Sequence, residues 1–260
     1  MFWLCEEELP AGVGCAPFGA GHLAYLVFFL ALALCYAFFY RRLDARCRRR
    51  ADRILGSAVF FFALCAYGIT ALLGHFSRYA LPLHVCSLLF LLTPLHAWTD
   101  AALPGSPAGK LHRFLGALLF HPGIPGVLAA LLFPDWLDCP FWHYLSISAF
   151  MAHGLLFVYG ASLLVSIAEA PEQVKLFRHD LRASLLFLGV GALVMFFFDR
   201  ATGTNYWFMA WPSNGSPFLG VYARGGFGGY LAAFALAALA VTALWYGLRY
   251  FLLVRRRNGS

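Results

Sequence analysis

The chain has 260 residues, of which 62% are hydrophobic and 12% are charged, and its formal net charge is +7. Soluble domains have roughly a quarter of their residues charged, so this composition excludes an ordinary water-soluble domain. Its apolar runs of about 20 residues can cross a hydrocarbon core as helices, and they lack the alternation of a membrane β-barrel. We therefore predict an all-α, polytopic membrane helix bundle, with one domain over residues 1–260.

Seven membrane spans are predicted, each from a continuous apolar run. In chain order they are residues 21–40, 54–74, 82–97, 111–133, 141–167, 183–198 and 228–254. The third is short and contains Pro94 near its inner end, which predicts a bend. The opening MFWLCEEELP is acidic and lacks a basic segment, so we expect no cleaved signal peptide.

Basic residues are distributed unequally between the two sides of the predicted bundle. Sixteen Lys and Arg residues fall on one side, including seven arginines in RRLDARCRRRADR, whereas the other side has only Arg78, Arg200 and Arg224. Cytoplasmic loops carry such an excess. We therefore expect the N-terminus outside, the C-terminus in the cytoplasm and a location in the cell membrane. The arginine-rich rim is expected to attract anionic lipid headgroups, and no nucleic-acid partner is expected.

The seven cysteines form no CxxC pair and no zinc-module spacing. Cys35, Cys65 and Cys86 lie in apolar segments, where a cysteine usually packs as a small hydrophobe. Cys5, Cys15 and Cys139 would face an oxidising compartment, where two of them could form a disulfide. The sequence does not say which pair this would be.

Several polar side chains fall at depths where they are costly in a membrane. His84 and Cys86 lie in the first two turns below the outer surface of the third span, and His153 lies near mid-bilayer in the fifth. His121 lies about midway along the fourth span, which Pro122, Gly123, Pro125 and Gly126 interrupt. Broken backbone at that depth requires surrounding protein or a water-filled cavity. Ionisable groups inside a membrane usually indicate function.

The outer loop FDRATGTNYWFMAWPSNGSP adds Asp199, Asn205 and Tyr206 on the same side. All these groups could therefore converge on one cavity that opens outward. Each also has a structural alternative, because a lone histidine can pack against a neighbouring helix and an asparagine can bond the backbone of a turn. Gly154, beside His153, permits close helix approach. His84 and Cys86 point about 200° apart on a straight helix, so His153 is the better partner for Cys86.

The blocks LPLHVCSL, HPGIPGVLAALLFPDW, FMAHGLLFVYG and GTNYWFMAWP resemble, in this order, the bacterial YwaF-type integral membrane proteins. More distantly, they are similar to the mammalian transmembrane acyltransferase that makes arachidonoyl ether phospholipids, which is itself thought related to membrane hydrolases of branched fatty-acid esters. The resemblance implies a membrane enzyme that acts on acyl chains. It marks His153 as the catalytic histidine, with His84 and Asn205 as motif residues.

The sequence departs from that pattern at one position. In the mammalian enzyme a cysteine directly follows the proline of the third-span motif, and this chain has Leu83 there. Cys86 lies three residues further on, on roughly the same helix face. Whether Cys86 takes over the cysteine's role is a hypothesis.

The leading hypothesis is acyl transfer or acyl-ester hydrolysis on lipids or lysolipids, with no cofactor. Cys86 would attack the ester after His153 takes its proton, and His84, Asn205 or a loop N–H would stabilise the oxyanion. Tyr206 and His121 are further candidate substrate contacts. In a second version His153 activates the acceptor hydroxyl directly, with His84 polarising the carbonyl. The alternatives are a small-molecule or lipid transporter or binding protein, and a membrane enzyme with a histidine-coordinated metal at His84, His153 and His121 or His143.

Overall fold

The computed structural model describes residues 2–4, 8–10, 12–99, 105–169, 177–213 and 216–257. Within them the chain forms eight α-helices and no strand. The helices are α1 (Ala20–Tyr40), α2 (Ala45–Leu72), α3 (Val85–Trp98), α4 (Pro107–Leu118), α5 (Ile124–Leu132), α6 (Tyr144–Glu169), α7 (Phe177–Thr202) and α8 (Leu219–Arg257). The predicted all-α class is confirmed.

Six of the described segments are helical, apolar and long enough to cross a membrane, with α4 and α5 together forming one of them. The helix α3 is apolar but has only 14 residues. These segments correspond in order to the seven predicted spans. The chain is therefore a multi-pass membrane protein.

Helix α6 lies at the centre of the bundle, where it packs against α1, α2, α3 and α5. Gly154 of α6 faces the ring of Phe29 on α1, and a Cβ atom at this position would overlap that ring. Gly160 makes a similar approach to Ile124 on α5. The expectation that Gly154 permits close helix packing is confirmed, and this packing holds the segment of α6 that carries His153 against α1.

The interruption between α4 and α5 is a single π-helical turn, Leu119–Gly123. Pro122 has no N–H and cannot continue regular α-helical bonding, and all five residues of the turn are buried. The indole N–H of Trp245 on α8 donates to the Phe120 carbonyl oxygen at 3.0 Å. Protein therefore surrounds the irregular backbone, as membrane burial requires.

Helices α7 and α8 lie at the periphery. Only 6% of the most apolar 18-residue window of each is buried, against 61% for α6. Gly226, with φ of 61°, kinks α8 near its N-terminal end, in a left-handed conformation that glycine adopts without a steric penalty. These two helices present most of their apolar surface to the surroundings, as lipid-facing helices do.

Candidate functional site

The chain enters α3 through an extended segment that an aromatic turn holds in place. The turn is Tyr206–Phe208, and its indole N–H on Trp207 donates to the Leu83 carbonyl at 2.8 Å. The Tyr206 hydroxyl accepts from the Leu81 N–H at 3.1 Å and donates to the Arg78 carbonyl. These bonds fix the backbone directly before His84, the N-cap residue of α3.

Asp199, near the C-terminal end of α7, holds the aromatic turn through hydrogen bonds. One of its carboxyl oxygens accepts from the Thr204 hydroxyl and from the Tyr206 N–H, both at 2.8 Å. The side-chain oxygen of Asn205 accepts from the Ala210 N–H, and its amide nitrogen donates to the Trp211 carbonyl. Asn205 thus has a structural role in the loop, while its predicted contact with substrate stays a prediction.

The His84 ring lies against this turn, with centroid distances of 5.0 Å to Tyr206 and 5.5 Å to Phe208. The side chains of His84 and Cys86 are both half-buried. The structure therefore places the predicted residues His84 and Tyr206 in contact, at the N-terminal end of α3.

Two residues to which the sequence analysis gave no role, Asp135 and Trp136, complete the site from the loop between α5 and α6. Asp135 is exposed in part and lies close enough to His84 and Cys86 to interact with them electrostatically. Surrounding protein raises the pKa of the Asp135 carboxyl, and the neighbouring His84 imidazole opposes that rise. The sequence signal was present in FPDW, a Pro-Asp-Trp tripeptide directly after an apolar run.

His153 is buried at the inner side of these residues, with an exposed fraction of 4%. Its ring stacks on that of Trp136, with centroids 4.6 Å apart and 27° between the planes, and it meets the Phe90 ring edge-on at 4.9 Å. It also interacts electrostatically with His84. We call His84, Cys86, Asp135, Trp136 and His153 the outer cluster.

The hydrogen bonding of His153 determines which of its nitrogens carries the proton. Nδ1 lies 2.8 Å from the Ala149 carbonyl oxygen, and a carbonyl can only accept, so Nδ1 must be the donor. Nε2 is buried and has no hydrogen-bond partner among the described residues, Cys86 included. In the neutral ring Nε2 therefore holds a bare lone pair, which is the state that a general base requires.

The structure places His121 in a different cluster. Its Nε2 lies 2.6 Å from one terminal guanidinium nitrogen of Arg249, and its ring stacks on Tyr246 at 3.6 Å. The other terminal nitrogen of Arg249 donates to Asp180 at 2.9 Å. Asp180 lies in the first turn of α7, and Arg249 lies in the last part of α8, on the predicted cytoplasmic side. His121 thus lies apart from the outer cluster, which contains His84, Cys86 and His153, and the expected convergence of these three on a cavity stays a prediction.

The remaining metal candidate, His143, is buried, and its Nε2 lies 3.0 Å from the Leu4 carbonyl oxygen. Within the described ranges, no three His, Cys, Asp or Glu side chains come together in a way that could hold a metal ion. The histidine-coordinated metal enzyme therefore finds no support in the geometry of these side chains.

No curated protein and no solved structure matches the chain. The model of the TMEM164 family matches residues 17–246, which include every member of the outer cluster and the aromatic turn that supports it. Together with the apolar helices, this match shows that the chain belongs to the TMEM164 family of transmembrane proteins.

Proposed function

We propose that this protein is a membrane enzyme that transfers or hydrolyses fatty acyl chains at the outer cluster, with His153 as the general base. The observation that carries the proposal is the buried Nε2 of His153, which has a lone pair and no partner among the described residues. Leaving such an atom unpaired is costly unless a bound group uses it. The resemblance to a membrane acyltransferase supports a lipid ester as the molecule that reacts at this nitrogen.

In the direct route, Nε2 of His153 takes the proton of an acceptor hydroxyl as the hydroxyl oxygen attacks the ester carbonyl carbon. The carbonyl electron pair moves to oxygen and forms a tetrahedral oxyanion. When the intermediate collapses, the bond to the leaving alcohol breaks, and His153 returns the proton to that alcohol. A lysolipid as acceptor gives acyl transfer, and water gives hydrolysis.

In the thioester route, the Cys86 thiol replaces the first acceptor. Its proton goes to His153 as its sulfur bonds the acyl carbon, the ester C–O bond then breaks, and His153 gives the proton to the leaving alcohol. In the second half, an acceptor hydroxyl gives its proton to His153 and attacks the thioester carbon, the C–S bond breaks, and the sulfur takes the proton back. One observation favours the direct route over this one. Cys86 makes no hydrogen bond to His153 Nε2, so the thiol has no base in contact with it.

His84 and Asp135 lie at the solvent side of the cluster, where a lipid headgroup would lie while its acyl chain occupies the apolar interior. We propose that the neutral His84 imidazole polarises the ester carbonyl or binds the leaving oxygen. The buried π-helical turn gives no support to the transporter alternative, because protein side chains surround that turn. We propose the cell membrane as the location, with phospholipids and lysolipids as substrates and anionic headgroups at the cytoplasmic arginines.

The test is lipid turnover by purified protein supplied with mixed phospholipids, followed by mass spectrometry of the lipids and of the intact protein. We expect His153→Ala to reduce turnover at least about 100-fold, the lower end of what general acid–base catalysis contributes. The matched control is His179→Ala, at an exposed histidine of α7, which should keep wild-type turnover. The absence of turnover by the wild type would overturn the proposal.

The same samples separate the two routes. If the direct route operates, Cys86→Ala retains turnover and the wild type carries no acyl adduct. A fatty-acyl mass on the wild type that disappears in Cys86→Ala would establish the thioester route instead.

A further inference from the structure

The indole N–H of Trp136 is a second unused polar group in the outer cluster. The nitrogen is buried and has no hydrogen-bond partner among the described residues. A buried donor without a partner is unfavourable, and most buried indole N–H groups find a partner. In this protein Trp98, Trp207 and Trp245 all donate to an oxygen atom. Trp136 therefore departs from the pattern of these three.

The stacked arrangement explains why Trp136 and His153 do not satisfy each other. The N–H bond lies in the indole plane, and the Nε2 lone pair lies in the imidazole plane. Because the two rings are stacked with only 27° between their planes, neither group points at the other ring's edge. The stack thus carries one free donor and one free acceptor on adjacent rings, which is the combination needed to bind an ester and a hydroxyl together.

We propose that the Trp136 N–H donates a hydrogen bond to the carbonyl oxygen of the lipid ester and stabilises the oxyanion that forms there. This inference rests on the proposed function. The acceptor proton goes to His153 Nε2 and the carbonyl electrons go to oxygen, while the indole keeps its proton throughout. A donor that strengthens its bond as charge develops lowers the barrier of the chemical step.

Trp136 is better suited to this role than Asn205 of the aromatic loop. Both the oxygen and the amide nitrogen of Asn205 bond the backbone of Ala210 and Trp211. The Trp136 ring, in contrast, touches the base directly. Trp136 thus contacts the reacting carbonyl and is a catalytic residue in the strict sense.

The first test is Trp136→Phe, which keeps an aromatic ring to stack on His153 and removes the N–H. Loss of one oxyanion donor typically lowers kcat about 100- to 1,000-fold. We expect a fall of that size with KM within about twofold, since an interaction made mainly in the transition state affects kcat. The control is Trp142→Phe, at an exposed tryptophan of the same loop, which should match the wild type. Turnover by Trp136→Phe within about twofold of wild type would overturn the inference.

A second measurement does not depend on turnover. Protein labelled with ¹⁵N-tryptophan is prepared in dodecyl maltoside, a detergent without ester groups, and the indole resonance that is lost in Trp136→Phe is assigned to Trp136. Adding 1-oleoyl lysophosphatidylcholine should shift this resonance downfield. The matched 1-O-alkyl lysolipid, which has no carbonyl, should leave it in place.

The two readouts separate the inference from the proposed function. If the wild type turns over no lipid, the proposed function fails, and a shift specific to the ester lipid still supports the Trp136 contact. No shift with the ester lipid, or equal shifts with both lipids, would overturn the contact whether or not turnover occurs.

Discussion

At the level of single residues, the charge on Asp135 has opposite effects on the stability of the fold and on the proposed chemistry. Its carboxyl group lies in a loop between two membrane helices, close to His84 and Cys86. Surrounding protein raises its pKa, so folding makes the charged carboxylate less favourable than it is in the unfolded chain, whereas a charged carboxylate would orient and polarise the His84 imidazole. Ionisable residues whose pKa is shifted by their surroundings are often functional.

The raised pKa predicts how stability depends on pH. In the unfolded chain the carboxyl titrates near about 3.9, and the folded state binds the proton more tightly. The charged carboxylate therefore destabilises the native state, with no cost below pH about 4, a growing cost as pH rises through the folded pKa, and the full cost above it.

We expect Asp135→Asn to unfold at a higher temperature than wild type at about pH 7.5, and at the same temperature near pH 4, because only the wild type titrates between them. Thermal unfolding in detergent at the two pH values measures this difference. If the variant instead unfolds at a lower temperature at neutral pH, then pairing with His84 outweighs desolvation.

At the level of helices, the contact of α1 with α6 depends on the missing side chain of Gly154. A methyl group there would overlap the Phe29 ring, and overpacking a core typically costs about 1–3 kcal/mol. We expect Gly154→Ala to lower the free energy of unfolding by this amount. Gly126→Ala on α5 is the control, since a Cβ atom at that position meets nothing within 4 Å. Equal stability of both variants would show that α1 and α6 can move apart to accommodate the methyl group without a loss of stability.

The buried cluster of Arg249, Asp180 and His121 ties α8 to α7 and to the π-helical turn. Removing one partner from a buried ion pair leaves an uncompensated charge, which typically costs about 3–5 kcal/mol. We expect Arg249→Leu to lose stability on this scale, and Arg249→Leu combined with Asp180→Leu to lose less than Arg249→Leu alone. Denaturant titration of the single and double variants measures the coupling. Strict additivity would contradict a direct interaction.

At the level of the whole molecule, apolar run length predicted all seven hydrophobic segments, because burial of the backbone in lipid leaves the helix as the main solution. The same runs predicted the positions of Cys86 in α3 and His153 in α6. Trp136 and Asp135 could not be placed in this way, since their positions depend on how a loop folds back over the helix ends. The position of His121 outside the outer cluster could not be predicted either, because its partner Arg249 lies 128 residues away in sequence.

The shortness of α3 has a consequence for the surrounding bilayer. Its 14 residues extend about 21 Å at about 1.5 Å per residue, against a hydrocarbon thickness of about 30 Å. Such hydrophobic mismatch is relieved when the nearby leaflet thins. His84 and Cys86 of the outer cluster lie at the start of this helix, so local thinning would bring the ester linkages of neighbouring lipids closer to the level of His153. For the proposed acyl chemistry, turnover should therefore be faster in vesicles of short-chain lipids than in thick bilayers, and membrane thickness would set how readily a lipid ester reaches the outer cluster.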